Sequence, residues 1–130
     1  KKIGGEAVST SKINWITENK HVILSIDFTN LYGKDFIDQI NNLASFLHHT
    51  KKTEILALID ITNSFLNTEV FKAIRYTAKL ANKKVKKTAI IGSTPVQITF
   101  IKFLKTLTRF QLNTFQTKKQ AIQWLTKQEK

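Results

Sequence analysis

Cysteine is absent from the 130 residues, which excludes disulfides, thiolate metal sites and cysteine nucleophiles together. That composition fits a reducing compartment, and a cytoplasmic location is the expectation. No run approaches the roughly 18 uninterrupted apolar residues that a membrane span requires. The opening KKIGGEAVSTSK lacks the apolar middle of a signal peptide. Acidic residues are scarce: nine Asp and Glu stand against 21 Lys and Arg, for a net charge of +12. Arginine is scarcer still, with Arg75 and Arg109 alone. Proteins that read nucleic-acid sequence use arginine for paired contacts to base edges. Sequence-specific recognition is therefore disfavoured, and nonspecific nucleic-acid binding stays open as the weakest reading. The positive field favours an acidic partner.

His21, His48 and His49 share no ligand spacing with acids, so neither a metal site nor a cofactor is expected. There is no histidine–nucleophile pairing and no glycine-rich phosphate loop. Catalysis has no visible parts, and a non-enzymatic role is the expectation.

What is present is ordered. Hydrophobic residues make up 42% of the chain, enough at this length for one domain with a real core. The most informative stretch is residues 54–76, EILALIDITNSFLNTEVFKAIRY. An apolar run ends in Asp60, a polar loop follows, and an amphipathic pattern opens at Asn67-Thr68-Glu69. That reads as a buried parallel strand delivering its carboxyl end to a loop and a helix N-terminus, the usual address of function in an open α/β sheet.

Residues 1–11 are small, polar and charged and read as a flexible leader. A strand is expected over 13–17 and a second over 21–28, HVILSIDF, close enough to form a hairpin. The unbroken Val22-Ile23-Leu24 core of the second implies burial on both faces. Phe36, Ile37, Ile40, Leu43, Ala44 and Leu47 recur at helical spacing and predict a helix over 34–49. The strand at 54–61 leads to a helix over 68–82. Lys83-Lys84-Val85-Lys86-Lys87 then reads as a basic loop before a short strand at 88–91. Pro95, the only proline, suits the first turn of a third helix, expected to reach about residue 110. A minimal strand at 112–115 and a helix over 118–127 complete the chain. No internal repeat is apparent. The order β-β-α-β-α-β-α-β-α is that of an α/β fold: a mostly parallel five-stranded sheet with an N-terminal β-hairpin and four helices.

This order resembles the STAS domains, the fold of the anti-sigma factor antagonists, and more closely their SpoIIAA-like relatives. The carriers are the opening hairpin, residues 55–61 running into Asp60, the helix beginning near Asn67, and the ending Phe115-x5-Ala121-Ile122-x-Trp124-Leu125. The resemblance implies a single SpoIIAA-like domain over 12–130 that acts as a protein-interaction or regulatory module. In the antagonists an Asp-Ser-Ser-Gly run before the second helix carries a phosphorylated serine. Here Asn67 takes the aspartate position and Thr68 the acceptor position, the glycine is missing, and Glu69 would repel an added phosphate.

Three groups of residues are candidates. Asp60, Thr62, Ser64, Asn67 and Thr68 gather at one strand end and one helix start, where free N–H groups suit a partner loop or an anion; the same residues could simply cap the helix. Lys72, Arg75, Lys79, Lys83 and Lys84 lie along the second helix as a basic face beside that loop, joined by Lys102, Lys105 and Arg109 on the third. Phe100, Phe103, Leu104 and Phe115 could line an apolar pocket for a lipid-like ligand, although aromatic stripes of this kind are more often core. A response-regulator receiver is also echoed by Asp60 and Thr94. The end of the second strand lacks the paired acids that such a site needs to hold magnesium. Two main readings follow: an interaction module for an acidic protein, and a carrier of a small apolar molecule.

Overall fold

A computed structural model of the chain describes residues 12–127; the leader expected over 1–11 lies outside the described residues. The elements are β1 (Ile13–Glu18), β2 (His21–Asp27), α1 (Gly33–His49), β3 (Ile55–Asp60), α2 (Thr68–Ala81), β4 (Val85–Ile91), α3 (Pro95–Lys105), β5 (Gln111–Phe115) and α4 (Lys118–Leu125). This is the expected order. The five strands form one sheet in the order β1-β2-β3-β4-β5, antiparallel at β1–β2 and parallel elsewhere. Asn19 and Lys20 both take positive φ, the geometry of the two-residue hairpin turn whose twist matches its flanking strands.

Because the parallel strands follow one another in a single direction, right-handed crossovers place α1, α2 and α3 on the same face. Strand side chains divide accordingly. Leu24, Ile26, Ala57, Ile90 and Leu112 join the core under these three helices. Ile23, Leu58 and Ala89 point the other way and are covered by Ala121, Ile122 and Leu125 of α4. The strand order never reverses, so there is no switch-point crevice at the carboxyl ends of the strands. Room for a ligand has to come from between the layers.

Three expectations need correction. The basic loop is half strand: β4 begins at Val85, and Lys87 is only 3% exposed. Its ammonium lies over the Trp124 indole, 5.1 Å from the ring centre, and its Nζ donates to the Trp124 carbonyl at 3.1 Å. A lysine can be buried this way because its charge reaches the negative end of a helix. Second, α3 stops at Lys105 rather than near residue 110. The Thr106 and Thr108 hydroxyls donate to the carbonyls of Phe103 and Lys105, the local side-chain bonding that competes with helix. Asn82 then secures the loop, accepting from the Arg109 N–H at 2.8 Å and donating to the Leu107 carbonyl at 3.5 Å. Third, Val22 is exposed, so β2 is covered on both faces only from Ile23 onward.

Candidate functional site

The loop after β3 is tied together from within. Asp60 Oδ1 accepts from the Thr62 hydroxyl at 2.6 Å and from the Thr62 N–H at 3.0 Å. Ser64 is buried; its hydroxyl donates to the Phe28 carbonyl and accepts from the Leu31 N–H at 3.0 Å. The Ser64 carbonyl accepts from the side-chain amide of Gln97 at the start of α3. Asn67 caps α2 by accepting from the Val70 N–H at 2.8 Å. Of the five loop candidates, Thr68 is exposed and, among the described residues, stands outside this network of side-chain bonds. The loop gathers all five in one place, and four of them hold its shape.

The structure also shows a pairing that sequence reading missed. Residues 26–32, Ile-Asp-Phe-Thr-Asn-Leu-Tyr, match residues 59–65, Ile-Asp-Ile-Thr-Asn-Ser-Phe. Asp27 repeats the arrangement of Asp60, accepting from the Thr29 hydroxyl at 2.6 Å and the Thr29 N–H at 3.0 Å. The hydroxyl bond first, then the backbone bond, hold the Asp27 carboxyl below the usual carboxylate range. Asn30 and Asn63 both take positive φ. The two turns stack, with Phe28 N–H bonded to the Asp60 carbonyl at 2.8 Å and Asn30 N–H to the Thr62 carbonyl at 2.9 Å. The signal was the shared Ile-Asp-x-Thr-Asn, too short to register as a repeat until register sets the segments side by side. Tyr32 and Phe65, at the ends of the two segments, are 67% and 69% exposed, with ring centroids 6.4 Å apart. Gly92 packs against this stack from β4: a Cβ there would sit 2.6 Å from the Thr62 nitrogen and closer still to its hydroxyl.

The basic residues do not form one surface beside the loop. Lys72, Arg75 and Lys79 are exposed along α2, with Lys72 3.9 Å from Glu69. Lys83 and Lys84 follow the far end of that helix, roughly 20 Å from the loop at 1.5 Å per residue. Lys84 turns inward and donates to the Thr50 carbonyl.

Between the sheet and α1–α3 lies an apolar cavity of about 120 Å³. Of the four pocket candidates, Phe100 and Leu104 line it. Phe103 does not; it packs on Phe71 of α2, centroids 5.9 Å apart, and is 52% exposed. Phe115 is on the opposite face of the sheet, 5.4 Å from Trp124, because consecutive strand residues alternate sides. Phe71 also meets Phe100 at 5.5 Å. These rings bridge α2 and α3, which otherwise lean apart, α2 onto α1 and α3 onto β5. Sequence reading missed what α1 and the sheet contribute to the lining, together with the polar side chains found there among the described residues, Thr77 and Thr88.

Among the described residues no cluster of histidine and carboxylate groups is placed to hold a metal ion, and no helix is long and apolar enough to cross a membrane.

A hairpin followed by parallel crossovers, with three helices on one face and one on the other, is the STAS type of α/β fold. The profile of the SpoIIAA-like family matches residues 11–126, and the chain belongs to that family. Its fold is similar to that of an uncharacterized protein of the DUF3478 family from Shewanella loihica PV-4, with a TM-score of 0.67 and 26% identity over 87% of this chain and 91% of that one. It is also similar to an anti-sigma-factor antagonist (STAS) domain protein from Planctomyces limnophilus, with a TM-score of 0.60 and 13% identity over 87% of this chain and 97% of that one. No curated protein matches the chain.

Proposed function

We propose that this chain uses the SpoIIAA-like fold to hold a small apolar ligand between the sheet and helices α2 and α3, as a carrier or a sensor of that ligand. The supporting observation is the cavity of about 120 Å³, bounded among the described residues by no charged side chain. Well-packed cores leave few voids larger than a water molecule. A dry cavity of about 150 Å³ in another protein takes up benzene, so the space here suits a ring or a short branched chain. Phe100, which lines this space, is 37% exposed.

Ala78 of α2 lines the cavity, so Ala78→Leu adds three carbons to the void and keeps a good helix former in α2. The variant should retain the far-ultraviolet circular dichroism of the parent and lose binding of apolar probes by at least about tenfold. Native mass spectrometry of the purified wild type should show retained or added ligand. A wild-type protein that is empty and takes up no apolar probe would sink the reading.

A second reading, an interaction module for an acidic protein, draws support from the exposed Tyr32–Phe65 pair beside the 60–68 loop and from Arg75 and Lys79 on the open side of α2. The two readings are compatible if ligand occupancy governs what that surface presents.

A further inference from the structure

The cavity is not uniformly apolar. Two threonines line it, Thr77 from α2 and Thr88 from β4. Thr77 is already committed: its hydroxyl donates to the Ala73 carbonyl one turn earlier, at 3.0 Å. Thr88 is different. It is 5% exposed, stands in the interior strand β4 between β3 and β5, and shares a face with Ala57 and Leu112, its register partners. Its hydroxyl makes no hydrogen bond to any described residue. Ser93 alone among the described residues has a fully enclosed side-chain oxygen with no partner, and it is not on the cavity wall; the Thr88 oxygen therefore keeps some accessible surface.

A valine would fill the same space in a strand with the same stiffness and no polar atom to bury. Burying a hydroxyl without a partner is unfavourable. A trapped water does not resolve the matter, because a buried water needs two to four polar partners and the lining offers little beyond this hydroxyl. A ligand with one complementary group would supply the missing bond. Among the described residues no lysine, arginine or histidine lines the space, so a carboxylate head would enter without a counter-charge, at a heavy desolvation cost.

We propose that Thr88 is the polar anchor of the cavity and that it selects a compact, uncharged ligand bearing a single hydrogen-bonding group, such as an alcohol, phenol or ketone, over both a pure hydrocarbon and a carboxylate. This rests on the apolar-ligand reading above and adds to it the chemical class of the ligand.

The test is a cycle in which hydroxyl and methyl are exchanged on each partner. Phenol and toluene have nearly the same shape, as do threonine and valine. Binding of phenol, toluene and benzoate to wild type and to Thr88→Val is followed by NMR titration of the purified chain. Thr88→Val should weaken phenol about tenfold, the worth of one buried hydrogen bond, while toluene binds as well or better. Benzoate should bind neither protein within the range where phenol binds the wild type. If toluene and phenol both bind and the substitution leaves their ratio unchanged, the anchor is disproved while the cavity reading stands. Benzoate binding on a par with phenol would likewise overturn the selection for uncharged ligands. If no probe binds either protein, the cavity reading fails and takes the anchor with it.

Discussion

Single side chains here do more than their types suggest. Asp27 sits at a strand end with one oxygen bonded twice by Thr29, and those bonds favour its charged form. A carboxyl whose pKa is depressed on folding adds stability above its unfolded pKa and loses it as pH falls through the folded value. Asp27→Asn should therefore be modestly less stable than wild type at neutral pH, and the gap should close as pH falls below the ordinary aspartate value of about 4. Urea unfolding at neutral and at acid pH would check this; a gap that persists in acid would show that the charge is not its source. The effect is small because the group is largely exposed. Gly92 is the opposite case, a residue that can hardly change at all. Its φ of +85° disfavours any side chain, and a Cβ would strike the backbone of Thr62. Gly92→Ala should cost about 2–4 kcal/mol, read as a lower urea midpoint. An unchanged midpoint would mean the strand–loop junction yields more easily than its contacts imply.

At the level of elements, hydrophobic spacing was a sound guide wherever a helix or strand has one clear inner face. The α1 pattern from Phe36 to Leu47 gave the helix that is found, and residues 55–61 cross the middle of the sheet between β2 and β4. Spacing misled where side chains have two chemistries. Lys86 and Lys87 looked like solvent-facing loop, but lysine's four-carbon stem lets a strand continue through it. Leu107 and Phe110 carry the apolar rhythm of α3 onward, yet the hydroxyls of Thr106 and Thr108 bond carbonyls of the last turn where the helix ends. The pocket was half legible for a related reason. Phe100 and Leu104 share a helix face with the core, whereas Phe115 belongs to a strand whose alternate residues serve the other layer. No local pattern shows how far apart two helices stand, so the void between α2 and α3 could not be read from either one alone. The stacked turns at 26–32 and 59–65 were in plain view as letters, but only strand register gives them meaning.

Across the whole molecule the excess of positive charge is spread rather than gathered. Arg75 and Lys79 are exposed on α2, while Lys83 and Lys84 lie beyond its far end. Such a distribution acts mainly on encounter rates with an acidic partner, and salt screens it over about 10 Å. Reversing Arg75 and Lys79 to glutamate replaces a positive charge by a negative one at each position, a change of two units per residue. If the interaction reading holds, association with an acidic partner should slow by about tenfold or more at low salt and the difference should shrink as salt is raised. Association rates that ignore the reversal would count against a basic docking face. The seam between α2 and α3 carries a different implication. Gln97 bonded to the Ser64 carbonyl fastens it at one end, and Asn82 bonded to Leu107 and Arg109 fastens it at the other. Phe71, Phe100 and Phe103 meet across the middle through ring contacts alone among the described aromatic pairs. If the apolar-ligand reading holds, entry through these rings would need side-chain rotations, a faster event than the displacement of whole helices, so exchange would leave the outline of the molecule unchanged.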